Sequence, residues 1–411
     1  MNKIKLNENT TLIESRKYKT INLYLLFSFE NSPLIKEKVA LLSRLIGDIS
    51  KKYPTKNEMT KAKDMLYGIN CNTTYKKTAN VITFIIHFSF INPKFVDISI
   101  EEYNAFIKEI IFNCVINEDT FLEAKNNIIA SLFRKLDEPS YFANERCLEI
   151  IGKDNPQFII YNKNKTFIKN INSIKLDELI ETYKYILNKS NLNIYICGDI
   201  KPQDAIKLST YNLDNRDKTK ISIKKIKTNN KKTTIDKKDI SQSYIKVVYS
   251  TPFNKKHKDF FAWFVGNAVF GKLPTSLLFN EIREKKSLCY SIGVEEFTSE
   301  GIVIVSTSID GKNKDKVISE INEQFQKIIK MDYDDSVLNA SKNMILNSLD
   351  GLEDDFDAFV LYDYNKIIQN FDYTIEEYMK NVSLVTKKDI SNVFKKYNHY
   401  FNYILLGTKH E

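Results

Sequence analysis

The sequence predicts an α+β protein made of two copies of one unit, each a mainly antiparallel sheet packed with helices. Three observations carry this. The chain has 411 residues, enough for two domains of ordinary size. Strand-like and helix-like segments occur in the same order in its two halves. Two stretches also match residue by residue, about 210–220 positions apart.

In the first half, Asn22–Glu30 reads as a strand. Ile35, Val39, Leu42, Ile46 and Ile49 then repeat at helical spacing, and Pro54 ends that helix. Asn57–Leu66 reads as a short helix stopped by Gly68. Strands follow around Cys71–Tyr75 and Asn80–Ile91, the second with Phe84, Ile86, Phe88 and Phe90 on one face. Ser99 with Glu102 forms a capping-box signature for a helix whose apolar face is Tyr103, Phe106, Ile107 and Ile110. Helical patterns cover Glu118–Leu136, the stretch after Pro139, and Leu176–Leu187. The strand Leu192–Cys197 closes the half at Gly198.

The second half repeats the order. Strands are expected at Tyr244–Ser250, Tyr290–Phe297, Gly301–Ile309 and Asn402–Leu406. Helices are expected at Lys258–Phe270, Ser276–Lys285, Lys314–Ile329, Asp334 to about Gln369, and Lys387–Lys396. The segment Ile174 to Gly198 matches Val385 to Gly407, and Met65–Ile69 matches Ser287–Ile292. These matches set the expected domains: 1–212, a linker at 213–240, and 241–411.

Charge points the same way. The net charge is +9, but residues 216–238 hold ten Lys/Arg and two Asp, so +8 resides there. A solvated linker at a duplication junction explains this run better than a nucleic-acid surface, and no nucleic-acid partner is expected. The five cysteines, Cys71, Cys114, Cys147, Cys197 and Cys289, are scattered without a CxxC, as befits free thiols in a reducing compartment. The first twenty residues have no apolar signal core, and no stretch approaches 18 apolar residues. A cytoplasmic protein without a membrane span is expected.

The four histidines, His87, His257, His399 and His410, do not stand at metal-ligand spacing, and no H-x-x-E-H, G-x-S-x-G, P-loop or G-x-G-x-x-G occurs. The acidic run Asp350–Asp357 lacks the alternating ligands of an EF-hand and reads as a solvated helix surface.

The segment Phe270-Gly-Lys-Leu-Pro-Thr-Ser-Leu-Leu-Phe-Asn-Glu-Ile-Arg-Glu-Lys-Lys-Ser-Leu-Cys-Tyr-Ser-Ile resembles the signature of the pitrilysin/insulinase zinc peptidases, in particular their mitochondrial-processing-peptidase-like branch. The resemblance covers essentially the whole chain and implies the pitrilysin/LuxS-like metallohydrolase fold. It implies that Arg283 holds a substrate carbonyl or carboxylate, a role suited to its fork of donors. It implies that Tyr290 donates a hydrogen bond to the peptide near the scissile bond.

The resemblance also exposes a loss. Catalytic members carry H-x-x-E-H on the first helix and a third ligand on the later long helix. Here Ala40, Ser43 and Arg44 take the motif positions, and Ser131 lies where the third ligand belongs. The expectation is a chain with no metal or cofactor of its own and no catalysis alone. It would be the non-catalytic subunit of a heterodimeric zinc endopeptidase, like zinc-less subunits of Gram-positive bacteria. Zinc is expected in a homologous H-x-x-E-H partner, and the substrate is a peptide, as in maturation of a ribosomally made peptide. The alternative is a silent scaffold subunit of a larger complex.

Overall fold

The computed structural model describes residues 1–153, 155, 164–211, 223, 226–228 and 232–409. These form two compact units, Met1–Phe133 with Gln157–Ser222, and Arg134–Pro156 with Ile223–Glu411.

Unit 1 is built on a six-stranded sheet in the order β1-β2-β6-β3-β5-β4. Its strands are β1 (Asn2–Lys5), β2 (Thr10–Glu14), β3 (Thr20–Glu30), β4 (Asn70–Thr78), β5 (Val81–Ile91) and β6 (Asn191–Gly198). Around them lie α1 (Ile35–Leu45), α2 (Lys56–Met65), α3 (Ile100–Phe112), α4 (Glu118–Asp137), α6 (Asn164–Ser173), α7 (Leu176–Lys189) and α8 (Pro202–Ser209). Strand β3 is buried from Ile21 to Phe29 and pairs on both sides, as its near-continuous apolar run requires. The expected capping box on α3 forms: Ser99 Oγ accepts from the Glu102 N–H at 3.2 Å, and the Ser99 N–H donates to Glu102 Oε2 at 2.8 Å.

Unit 2 has a five-stranded sheet in the order β7-β11-β8-β10-β9. Its strands are β7 (Thr234–Lys238), β8 (Ser243–Ser250), β9 (Ser291–Phe297), β10 (Ile302–Ile309) and β11 (Asn398–Gly407). Its helices are α5 (Pro139–Gly152), α9 (Phe260–Asn267), α10 (Lys314–Lys330), α11 (Asp335–Asp350), α12 (Phe356–Gln369), α13 (Ile375–Leu384) and α14 (Lys387–Phe394). Two π-helical turns, Ala268–Lys272 and Phe279–Lys285, follow α9.

The duplication is visible in strand pairing. Strand β2 runs parallel to β6, as β7 does to β11. The next pairs, β6–β3, β3–β5 and β5–β4, are all antiparallel, and so are β11–β8, β8–β10 and β10–β9. The matched glycines end matched strands for a steric reason. A Cβ on Gly198 would stand 2.9 Å from the Thr20 carbonyl oxygen, and one on Gly407 would stand 2.4 Å from that of Ile240.

Several expectations change. The helix expected up to Pro54 ends at Leu45, because Ile46 is extended and Gly47 turns the chain at φ +92°. The long helix from Asp334 is interrupted at Gly351–Asp354, and Asp355 caps α12 by accepting from the Asp357 N–H at 2.8 Å. Strands β1, β2 and β7 and helices α8 and α13 are not expected from the sequence. Strand β7 falls inside the expected 213–240 linker, most of whose other residues, like His410, lie outside the described residues. Nor does the division follow a single cut. Helix α5 comes from the first half of the sequence but packs on β8 and β11 of unit 2, where Arg146 Nε donates to Asp236 Oδ2 at 3.0 Å.

Burial pushes the thiols of Cys71, Cys114 and Cys147 up to about 12. The folded protein is therefore predicted to leave these three unlabelled by iodoacetamide at neutral pH, and to expose them in urea. Labelling as fast as in the denatured chain would contradict that environment. No described helix is long and apolar enough to cross a membrane.

Candidate functional site

Helix α1 brings three of the expected zinc positions together. Ala40 is buried and offers no donor atom. The Ser43 hydroxyl donates to the Ala40 carbonyl at 2.8 Å, so it is spent on its own helix. Arg44 is exposed and cationic. Ser131 sits half-buried on α4, and no hydrogen bond among the described residues joins it to α1. Zinc needs imidazole, thiolate or carboxylate ligands, and this set supplies none. No three His, Cys, Asp or Glu converge among the described residues.

What the helix does carry was missed in the sequence. Glu37, one turn before Ala40, is fully buried. Its Oε1 accepts from Asn170 Nδ2 of α6 at 2.8 Å, while Oε2 has no hydrogen-bond partner among the described residues. Burial, then the Glu37 carboxylate, pushes the Tyr75 phenol of β4 above its usual range, with Arg44 opposing. Glu37 and Arg44 of α1 thus both act electrostatically on the Tyr75 phenol of β4. The signal was available: Glu37 is acidic beside the apolar positions Ile35 and Val39. Glu37→Gln keeps the Asn170 contact and removes a buried charge. It should raise stability in urea unfolding, by on the order of 1 kcal/mol. A loss of stability would mean that Arg44 and Lys36 hold the charge in place.

His87 is a packing residue. Its ring stacks on Tyr24 at 4.2 Å, and Nε2 lies 3.0 Å from Asn22 Oδ1.

The second set of expected residues stands at the entry to β9. Arg283 lies on the π-helical turn Phe279–Lys285, a distortion found often at functional sites. Its guanidinium carbon lies 4.6 Å from the centre of the Phe279 ring, and its Nε lies 3.8 Å from Glu284 Oε1. The Arg283 side chain is 42% exposed. Tyr290 directly precedes β9, and its N–H donates to the Ser308 carbonyl at 2.8 Å, which fixes the backbone. Tyr290 is 57% exposed, so its phenol is open to a ligand. Between them, burial raises the Cys289 thiol, opposed by a hydrogen bond with Thr307 and then by the Arg283 charge. Among the described residues, β9 is one of the two edge strands of its sheet, paired only with β10.

Several known proteins are similar to this chain. Residues 173–345 match the family described as the peptidase M16 inactive domain. The probable inactive metalloprotease YmfF of Bacillus subtilis (strain 168) is 26% identical over 416 residues, covering 97% of this chain and 95% of that protein. A conserved protein from Enterococcus faecalis V583 has the same fold, with TM-score 0.90 at 23% identity over 100% of this chain and 99% of that one. The peptidase M16 inactive domain from Pseudomonas fluorescens gives TM-score 0.78 at 15% identity, over 97% and 96%. The periplasmic protease PqqL of Escherichia coli gives 0.74 at 14% identity, over 99% of this chain and 46% of that one. With a two-unit fold and no zinc-ligand set on α1, the chain is similar over residues 173–345 to the peptidase M16 inactive domain and over its length to a probable inactive metalloprotease.

Proposed function

We propose that this chain is the non-catalytic subunit of a heterodimeric zinc endopeptidase. It supplies peptide-contacting surface, while a homologous H-x-x-E-H subunit supplies the zinc and the water-activating carboxylate. One contrast carries the reading. The α1 positions Ala40, Ser43 and Arg44 have lost every group that binds zinc, yet Arg283 and Tyr290 stay exposed at the mouth of an unpaired strand edge. A scaffold has no use for an accessible phenol and guanidinium held beside a free edge. Such an edge offers backbone donors and acceptors to an extended peptide.

In this role Arg283 anchors a peptide carbonyl or carboxylate, and Tyr290 gives a neutral hydrogen bond to the backbone near the bond that is cut. The test is reconstitution. The chain alone should leave a quenched fluorescent peptide intact, and mixing with its H-x-x-E-H partner should produce cleavage that neither subunit gives alone. A partner equally active without this chain would overturn the proposal.

A further inference from the structure

Lys246 interrupts the apolar strand β8, between buried Ile245 and Val247. Those neighbours join the hydrophobic core, so the lysine points to the other face of the sheet, where α5 packs. It is only 8% exposed. Its Nζ donates to Asn144 Oδ1 at 2.8 Å and to Ser306 Oγ at 2.9 Å. Both acceptors are neutral, and no carboxylate forms an ion pair with Lys246 among the described residues. The third ammonium proton has no acceptor there. Burial, only partly offset by Cys147 and Glu295, holds the ammonium below the usual lysine range.

A buried cation without a counter-ion is costly, and proteins normally pair it. Here the missing partner has a place to come from. Lys246, Asn144 and Ser306 line an open pocket of about 520 Å³ inside unit 2, within the range of ligand sites. Gly293 of the edge strand β9 forms part of its wall. The rim carries Glu138 and Glu295, both exposed. Water screens these carboxylates, and their sign disfavours a multiply charged anion such as a phosphate or nucleic acid. A singly charged group that reaches past them fits better.

We propose that this pocket receives a carboxylate of the bound peptide, either its free C-terminus or an acidic side chain, on the Lys246 ammonium. The proposal rests on the peptide-binding reading above and extends it to a second contact on the peptide, apart from those of Arg283 and Tyr290. The acidic rim then favours peptides with a basic residue near that carboxylate.

The test measures binding to the full chain alone by fluorescence anisotropy, so it needs neither partner nor cleavage. Three labelled hexapeptides serve as probes. The first has a free C-terminus and no Asp or Glu, the second is its C-terminal amide, and the third is that amide with one internal Asp. The first should bind about tenfold or more tightly than the second. If the third recovers that affinity, the pocket takes either carboxylate; if not, it takes only the free C-terminus. Lys246→Met retains the stem and removes the charge, and should make all three peptides alike. Gly293→Val is a second variant: a Cβ there meets nothing nearer than the Gly271 carbonyl oxygen at 3.8 Å, so it should fold and narrow the pocket. It should weaken the first peptide similarly. If no peptide binds, if all three bind equally, or if Lys246→Met leaves the preference intact, the proposal is overturned. Reconstituted cleavage could still be observed in that case, so the two readings fail separately.

Discussion

In the reconstituted peptidase, Tyr290→Phe is expected to lower kcat on the order of a hundredfold, the usual loss for one donor aimed at developing oxyanion charge. Arg283→Ala is expected to raise KM by tenfold or more with a smaller change in kcat, because an anchor used equally before and during the reaction is uniform binding. The split between the two variants is the informative part. Tyr290 is fixed through its backbone to Ser308 and leaves its phenol exposed, so Phe at this position loses only the hydroxyl. Arg283 packs on Phe279, and its one ion pair among the described residues is a long one, 3.8 Å from Nε to Glu284 Oε1, so its fork of donors is available. Both variants should unfold at the wild-type urea concentration. Full activity in both would remove any substrate role for these residues.

The second large effect concerns the fold. Gly407→Ala should destabilise the protein by about 1–3 kcal/mol or more, the usual range for overpacking. The added methyl would stand 2.4 Å from the Ile240 carbonyl oxygen and 2.8 Å from that of Gln242, and backbone cannot rotate away as a side chain can. Relief would require the 240–242 turn to move. That movement would strain the Gly407 N–H bond to Ser243 Oγ at 2.9 Å and the Thr408 N–H bond to the Lys238 carbonyl at 3.1 Å. Gly351→Ala is the control. Nothing lies within 4 Å of its would-be Cβ and its φ is negative, so it should be neutral or slightly stabilising. Equal urea midpoints for the two variants would contradict this account of the glycine that ends β11.

Much of this was legible in the sequence because burial leaves a periodic trace. The central strands β3, β5, β8 and β10 are apolar runs, and the helices α3, α7 and α10 carry clear stripes. Strands β2 and β7 were not legible. Their five-residue sequences, TTLIE and TIDKK, show little pattern, and their place is set by parallel partners about 170–190 residues away. Helix α5 announced itself after Pro139, but an amphipathic stripe does not say which sheet will cover it. The segment that carries Arg283 was legible as a helix, but the π-helical register of Phe279–Lys285 was not. At the site, the residue types at Ala40, Ser43, Arg44 and Ser131, none of them a zinc ligand, could be read from the sequence alone. Glu37 and Lys246 were both visible as single charges at buried positions, and their meaning came only with their partners Asn170, Asn144 and Ser306.

The most direct test of the central claim is the zinc content of the active complex. Purified after reconstitution, the pair should hold one zinc per heterodimer, all of it lost when the partner's H-x-x-E-H histidines are replaced by alanine, and cleavage should vanish with it. Two zinc ions per pair, or zinc retained by this chain when purified alone, would contradict the division of labour proposed for it.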